Sequence, residues 1–410
     1  MTQTPSPLAD TLSPKRLNLI LFTILSLFPL IGMGIDLLAP SLPAMSIALE
    51  ASSSITKNLI ASYMVGYVSG NFFIGLLTDC LGRRKVFTIS LFLFVLASVT
   101  SIFTTSLFLL LLLRFIQGLT FGAAGVVSRA IFSDILPLKR LIQLAPTMAG
   151  LWGIGPVIGP AIGGYLQFYF GWQACYVFFA IYGLLVFLGA YFFIPETGNN
   201  PLPFNSRQIK QNVLTVVKCR HFMGIGIAMG LTYASIITFH VLCPFLLQEI
   251  FHQSVVQYGH IALSMGIFFL INTFACRYAL KYSTPERIIQ YLLIGSFIIL
   301  FLCLLLSLLY AGSLALVLIA SYFAFMTSAF VYPCGLARCS SMLRSVAGTN
   351  AAVMMLLASG ITAVVSYLLS FIQANTPAKL ISVYVVLTVL GLMAKTVLFK
   401  KTSVIEEMER

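Results

Sequence analysis

Gly75–Lys85, "GLLTDCLGRRK", sets one acid, two glycines and three consecutive bases between two apolar runs. Only 9% of the 410 residues are charged, so charge gathered in one short loop calls for a reason. The chain around it is 59% hydrophobic with a mean hydropathy of +1.00. A soluble domain is nearer half apolar and about a quarter charged. Apolar runs of about 20 residues, enough to span a bilayer, recur along the whole chain. The composition therefore predicts a polytopic helical membrane protein, and the loop is a polar connection between two spans.

Scanned with that ruler, the sequence gives twelve candidate spans: 17–42, 55–78, 84–104, 106–136, 142–168, 172–194, 222–249, 256–280, 288–310, 312–336, 345–372 and 378–399. An even number places both termini on one side. The charge balance is strongly basic, 24 Lys+Arg against 11 Asp+Glu, and the bases sit in short loops, so a nucleic-acid partner is not expected. With the termini inside, Lys57 and Lys379 fall in outer segments and Arg114 falls within a span, which leaves 21 of the 24 bases on or near the cytoplasmic side. That asymmetry sets the orientation.

The one long polar connection, Pro195–His221, divides the spans six and six. The expected organisation is a cytoplasmic N-terminus (1–16), a first six-helix half (17–196), a cytoplasmic linker (197–221), a second half (222–399) and a cytoplasmic tail (400–410). Two equal halves are the layout of transporters built from repeats. The apolar run after Lys15 and Arg16 continues past signal-peptide length, so it reads as a retained first helix. The eight cysteines (80, 175, 219, 243, 276, 303, 334 and 339) form no C-x-x-C pair, and the four histidines (221, 240, 252 and 260) are dispersed. No metal site or disulfide framework is expected.

Four stretches carry more than packing. In the opening loop the bases satisfy the cytoplasmic preference by themselves, but Asp79 and the placement of Gly75 and Gly82 are left over. Gly75 permits close helix approach and Gly82 a tight turn, while Asp79 can pair with a base or cap a helix N-terminus. In "LLLRFIQGLTFGAAG" (Leu111–Gly125), Arg114 lies inside an apolar span. An uncompensated arginine at depth costs at least about 2.5–3.5 kcal/mol, so it should face a partner or a cavity rather than snorkel. Gln117 adjoins it, and Gly118 and Gly122 make a small-residue stripe. In "GIGPVIGPAIGG" (Gly153–Gly164), Gly155, Gly159 and Gly163 recur every four residues, with Pro156 and Pro160 between them and Gly164 at the end. Such a face packs closely against another helix. In "GIDLLAPSLPAM" (Gly34–Met45), Asp36 is the only acid between Arg16 and Glu50. Two readings stand for it, a local cap near the outer interface or a protonatable acid within a cavity.

These stretches together resemble the major facilitator superfamily. Gly75, Leu77, Asp79, Gly82, Arg83 and Arg84 match its loop signature G-x-L-x-D-x-x-G-R-R/K, with Cys80 standing where a base is common. The stretch from Arg114 is similar to its fourth-helix motif. The glycine–proline stripe is similar to the motif of its antiporters. The spacing of Asp36, Pro40 and Pro43 resembles the drug:proton antiporter branch. "SRAIFSD" (Ser128–Asp134), "GWQACYVFF" (Gly171–Phe179), "IPET" (Ile194–Thr197) and "AGTNAA" (Ala347–Ala352) narrow the likeness to the bicyclomycin- and chloramphenicol-resistance (Bcr/CflA) group.

The resemblance implies an all-α membrane protein with twelve transmembrane helices in two six-helix pseudo-repeats. It implies a monomeric, multi-pass carrier of the bacterial inner membrane that exports small amphiphilic drugs or metabolites against protons. Gly75, Asp79, Gly82, Arg83 and Arg84 would form a conformational latch, Asp36 would take the proton, and Arg114 would tune and compete for it. Tyr233 and His240 on the seventh span, with Tyr322, Phe325 and Met326 on the tenth, and Gln117, would line a cavity for a bulky, partly aromatic ligand. At each single position on the seventh and tenth spans core packing is the first reading, and it is as a set that they suit a cavity. No G-x-x-x-x-G-K-[ST] motif is present, so the proton gradient and no cofactor would drive transport. A dedicated exporter or importer of one metabolite, such as a siderophore or peptide, shares every motif. A membrane enzyme would need His or acids clustered at one face, and a transporter-like sensor would need an added domain; neither feature is in the sequence.

Overall fold

The computed structural model describes residues 13–74, 82–197, 206–310, 312–343 and 347–398. Gly75, Leu77, Asp79 and Cys80 of the opening loop, much of the linker and both chain ends lie outside them. Within the described residues every regular element is helical. Each helix satisfies its own backbone donors and acceptors, as hydrocarbon requires.

The helices of the first half are α1 (Pro14–Asp36), the short α2 (Leu42–Ala48), α3 (Ser53–Ser69), α4 (Arg83–Phe103), α5 (Leu107–Ile135), α6 (Leu138–Phe170) and α7 (Gln173–Phe193). Then come α8 (Ser206–Lys218), α9 (Arg220–Phe245), α10 (Val255–Ala279), α11 (Pro285–Leu309), α12 (Leu314–Ser341), α13 (Ala347–Ser370) and α14 (Pro377–Leu398). Ten stretches among the described residues are long and apolar enough to cross a membrane. The other two expected spans correspond to α3, which runs into a π-helical turn at Gly70–Ile74, and to α6. Twelve helices therefore stand where hydropathy places twelve spans.

Local chemistry sets the ends. The Ser52 and Ser106 side chains accept hydrogen bonds from the Ile55 and Leu109 backbone N–H groups and cap α3 and α5. Gly171, at φ +81°, closes α6. Two features differ from the sequence reading. The first span is not one helix to residue 42: α1 stops at Asp36, and a 3₁₀ turn at Ala39–Ser41 leads into α2. Pro40 and Pro43 lack the N–H that a continuing helix would use and disfavour helical backbone before them. The linker holds a helix, α8, where only a polar connection was expected. Its Val216 is fully buried on the core cluster around Phe222, Met229 and Ile289, with Val213 packed against the same cluster.

The chain folds into two compact units. The first holds the described residues up to 197, together with 247–266 and 369–371. The second holds the described residues of 206–246, 267–368 and 372–398. Three helix pairings recur between them: α4 packs on α5 and on α7, and α1 on α7; likewise α11 packs on α12 and on α14, and α9 on α14. Each unit thus repeats one packing scheme. Large apolar side chains such as Phe22, Phe103, Phe108, Phe274 and Leu309 remain exposed, as suits surfaces that meet lipid.

Candidate functional site

In the first unit the polar side chains predicted from sequence converge. Asp36 is the last residue of α1 and is buried. Its Cβ faces Gly159 of α6, where an added Cβ would sit 3.4 Å away. The rest of the stripe lies along the same helix. A Cβ on Gly155 would come within 2.5 Å of the Gly32 backbone, and one on Gly163 would overlap the Leu37 carbonyl oxygen. α6 runs unbroken through Pro156 and Pro160, and Pro156 lies close to Gly32. The stripe is thus the seat of α1, and it brings Asp36 against a helix with no side chain at the point of contact. Gly164 faces a different neighbour, the Val255 backbone.

Arg114 of α5 is fully buried. Its Nη2 donates to the Gly34 carbonyl at 2.7 Å, its Nε to the Leu59 carbonyl at 3.3 Å and its Nη1 to Gln117 Oε1 at 3.0 Å. Gln117 passes the network on, its Nε2 donating to Ser98 Oγ at 3.2 Å, and Ser98 donates to the Phe94 carbonyl. One guanidinium therefore ties α1, α3 and α5 together through carbonyls, with α4 joined through Gln117. The fork geometry of arginine suits this, since its donors are fixed in a plane. The Tyr63 ring covers the guanidinium at 4.4 Å. Gly118 and Gly122 lie against the Tyr63 and Tyr67 carbonyls, so a side chain at either position would push α3 away. Asp36 is not among the hydrogen-bonding partners of Arg114; the link runs through Gly34, two residues before it.

In the second unit the aromatic candidates divide into smaller contacts. His240 of α9 is buried, edge-on to Phe239 at 5.4 Å and to Phe325 of α12 at 6.3 Å. Tyr233 meets Tyr332 at 5.4 Å, and Tyr322 packs edge-on against Phe268 at 5.1 Å. Met326 is half-buried on α12.

At the start of α4, Gly82 has φ +88°, a backbone conformation that favours glycine, and it lies against the Glu196 carboxylate. The Arg83 backbone N–H donates to Glu196 Oε1 at 2.8 Å, and the Arg83 guanidinium pairs with Asp134 and donates to the Ala130 carbonyl. Thr197 donates to Asp134 at 2.8 Å, and Arg84 donates to the Tyr191 carbonyl at 2.9 Å. A base on α4 is thus held by acids at the ends of α5 and α7. The second unit builds the same clamp with the charges exchanged. Glu286 at the start of α11 pairs with Arg338 at the end of α12, while Lys395 at the end of α14 donates to the Glu286 carbonyl and to Gln290 Oε1.

Sequence reading missed Tyr63, Ser98, Glu286, Arg338 and Lys395. Tyr63 and Ser98 look like ordinary span residues. The three charges have a signal in hindsight: each stands at a helix end equivalent to one in the first half. Contacts at the other end of the first unit were also unread. Gln248 Nε2 donates to the Pro40 carbonyl at 2.9 Å, and Tyr165 Oη and His260 Nε2 are 2.9 Å apart.

The family model of the Major Facilitator Superfamily matches residues 23–367. A bicyclomycin resistance protein homologue of Haemophilus influenzae is 27% identical over 252 residues, 61% of this chain and 61% of that protein. The multidrug resistance protein MdtL of Escherichia coli is 29% identical over 268 residues, 65% of this chain and 67% of that one. The chain therefore spans about three fifths to two thirds of the length of these curated relatives. Among solved structures, a bacterial homologue of the human lysosomal transporter Spinster superposes with a TM-score of 0.76 at 14% identity, covering 95% of this chain and 98% of that one. A D-xylose–proton symporter superposes at 0.72 and 15% identity, covering 92% and 97%. At such identities the superpositions speak for the fold alone.

Proposed function

The chain belongs to the Major Facilitator Superfamily, and from that premise we propose that it is a proton-coupled secondary transporter exporting small amphiphilic drugs or metabolites. Asp36 carries the exchangeable proton, and Arg114 holds the backbone on which Asp36 is mounted. The observation that carries this reading is the junction of Asp36, Gly159 and the Arg114–Gly34 bond: the acid, the glycine stripe and the buried base meet at one place. The names of the drug-resistance relatives support the substrate class.

The chemistry follows from the arrangement. Arg114 is bonded to carbonyls and an amide, so its charge is placed without being cancelled by a carboxylate. Asp36 terminates α1 just before the proline-broken turn, so a change in its charge acts on a helix end rather than on a rigid mid-helix. Protonation or ligand binding there biases which of two packings of α1 against α6 is stable, which is what a two-state carrier needs. The clamps of Arg83 and Glu286 hold the far ends of the same bundles. The protein acts as a monomer in the bacterial inner membrane with both termini cytoplasmic, six helices to each half.

The test is transport into inverted membrane vesicles with an imposed proton gradient. Bicyclomycin and ethidium uptake that follows the gradient and is lost in Asp36→Asn supports the reading. Uptake that ignores the gradient contradicts it.

A further inference from the structure

Tyr63 carries a polar atom that the network around it does not use. The residue is 2% exposed, and among the described residues its hydroxyl has no hydrogen-bond partner. Its neighbours are satisfied: Arg114, Gln117 and Ser98 all bond within the network. A buried hydroxyl left unpaired pays its desolvation without recovering a hydrogen bond. Phenylalanine would fill the same space, keep the ring over Arg114 and keep the stacking on Tyr67, without that cost. The ring is explained by packing; the hydroxyl is not.

Its position says what it is for. The hydroxyl lies against Gly34, where an added Cβ would overlap it, and Gly34 is the residue whose carbonyl receives Arg114. The Tyr63 ring covers the Arg114 guanidinium at 4.4 Å, and Gly34 stands two residues before Asp36 on α1. A second phenol shares two of these features: Tyr176 of α7 is fully buried, and its hydroxyl is unpaired among the described residues. An unused hydroxyl on the ring that covers a guanidinium makes a place short of acceptors. A ligand that completes it brings oxygen acceptors rather than further donors or a cation.

We propose that the Tyr63 hydroxyl is a substrate-binding donor, giving a hydrogen bond to a carbonyl or hydroxyl oxygen of the transported molecule beside Arg114 and Asp36. Resting on the transport reading above, it makes Tyr63 a specificity-determining residue that favours oxygen-rich molecules over apolar cations. Sites built to bond an oxygen discriminate through the group left unpaired when the wrong ligand binds.

The experiment uses the full chain purified in detergent, as wild type and Tyr63→Phe, with two probes: bicyclomycin, rich in carbonyl and hydroxyl oxygens, and ethidium, an aromatic cation with no oxygen. Loss of one hydrogen bond should weaken bicyclomycin binding roughly three- to tenfold, with ethidium changed less than about twofold. The thermal unfolding midpoint of Tyr63→Phe should be no lower than that of wild type, because the change removes an unsatisfied group. Equal bicyclomycin affinity in the two proteins overturns the assignment. Equal weakening of both probes with a lowered midpoint also overturns it, because the hydroxyl would then be an internal strut. Wild type that binds neither probe removes the transport reading and this subsite together, whereas wild type that binds both with Tyr63→Phe unchanged removes the subsite alone.

Discussion

Arg114 shows how much one residue can decide. Its three bonded nitrogens reach carbonyls on α1 and α3 and an amide on its own helix, so Arg114→Lys keeps the charge and loses the fork. A hydrogen bond to a charged group is worth about 1.5–3 kcal/mol, and lysine can replace at most part of the set, so proton-coupled transport should fall at least roughly tenfold. Initial uptake rates in inverted vesicles, normalised to protein amount, check this; a lysine variant at wild-type rate would mean that only the charge matters. Asp36 and Arg114 were legible in the sequence because an ionisable residue in an apolar span is costly and so stands out. The way they are connected was not legible. Sequence left open whether the two side chains meet; the guanidinium bonds the backbone of Gly34, two residues before Asp36. Tyr63 escaped notice because an aromatic residue in a span looks like packing until its hydroxyl is seen to lack a partner.

The elements carry a second set of expectations. Gly163 of α6 lies against the Leu37 carbonyl, main chain that cannot move aside cheaply, whereas a Cβ on Gly150 of the same helix would meet nothing within 4 Å. Gly163→Ala should destabilise the protein by about 1–3 kcal/mol despite the helix-propensity gain, and Gly150→Ala should not destabilise it. Thermal unfolding in detergent separates the two, and equal midpoints would mean that the stripe does not set the α1–α6 contact. The glycine period was plain in the sequence; the identity of the partner helix was not, since small residues specify a close approach without naming its other side. The charge-exchanged clamp yields to a reversal. Glu286→Arg and Arg338→Glu should each cut transport, and the double variant should recover part of it, with a coupling of about 0.5–3 kcal/mol. Additive losses would mean that the pair is not coupled. Recovery should be incomplete, because Lys395 stays beside the new arginine. Span positions were readable to within a few residues because hydropathy and bilayer thickness fix them. Helix α8 was not, because its single buried stripe of Val213 and Val216 sits in a polar stretch.

For the whole molecule, the twelve-span count and its charge asymmetry predict cytoplasmic readings from reporters fused after Arg410 and within residues 200–215; a periplasmic reading from either contradicts the orientation. The repeated helix pairings of the two units and the charge-exchanged clamps describe one packing scheme used twice. The central proposal is that the proton is carried at Asp36, in the first unit. Its most direct test is substrate-induced proton release from purified protein in weakly buffered detergent solution, compared between wild type and Asp36→Asn. Asparagine keeps the shape and hydrogen-bonding capacity of the side chain while removing its titration, so ligand binding should persist while release disappears. Release from Asp36→Asn at the wild-type stoichiometry would contradict the account and move the search to His240 and then to Asp134.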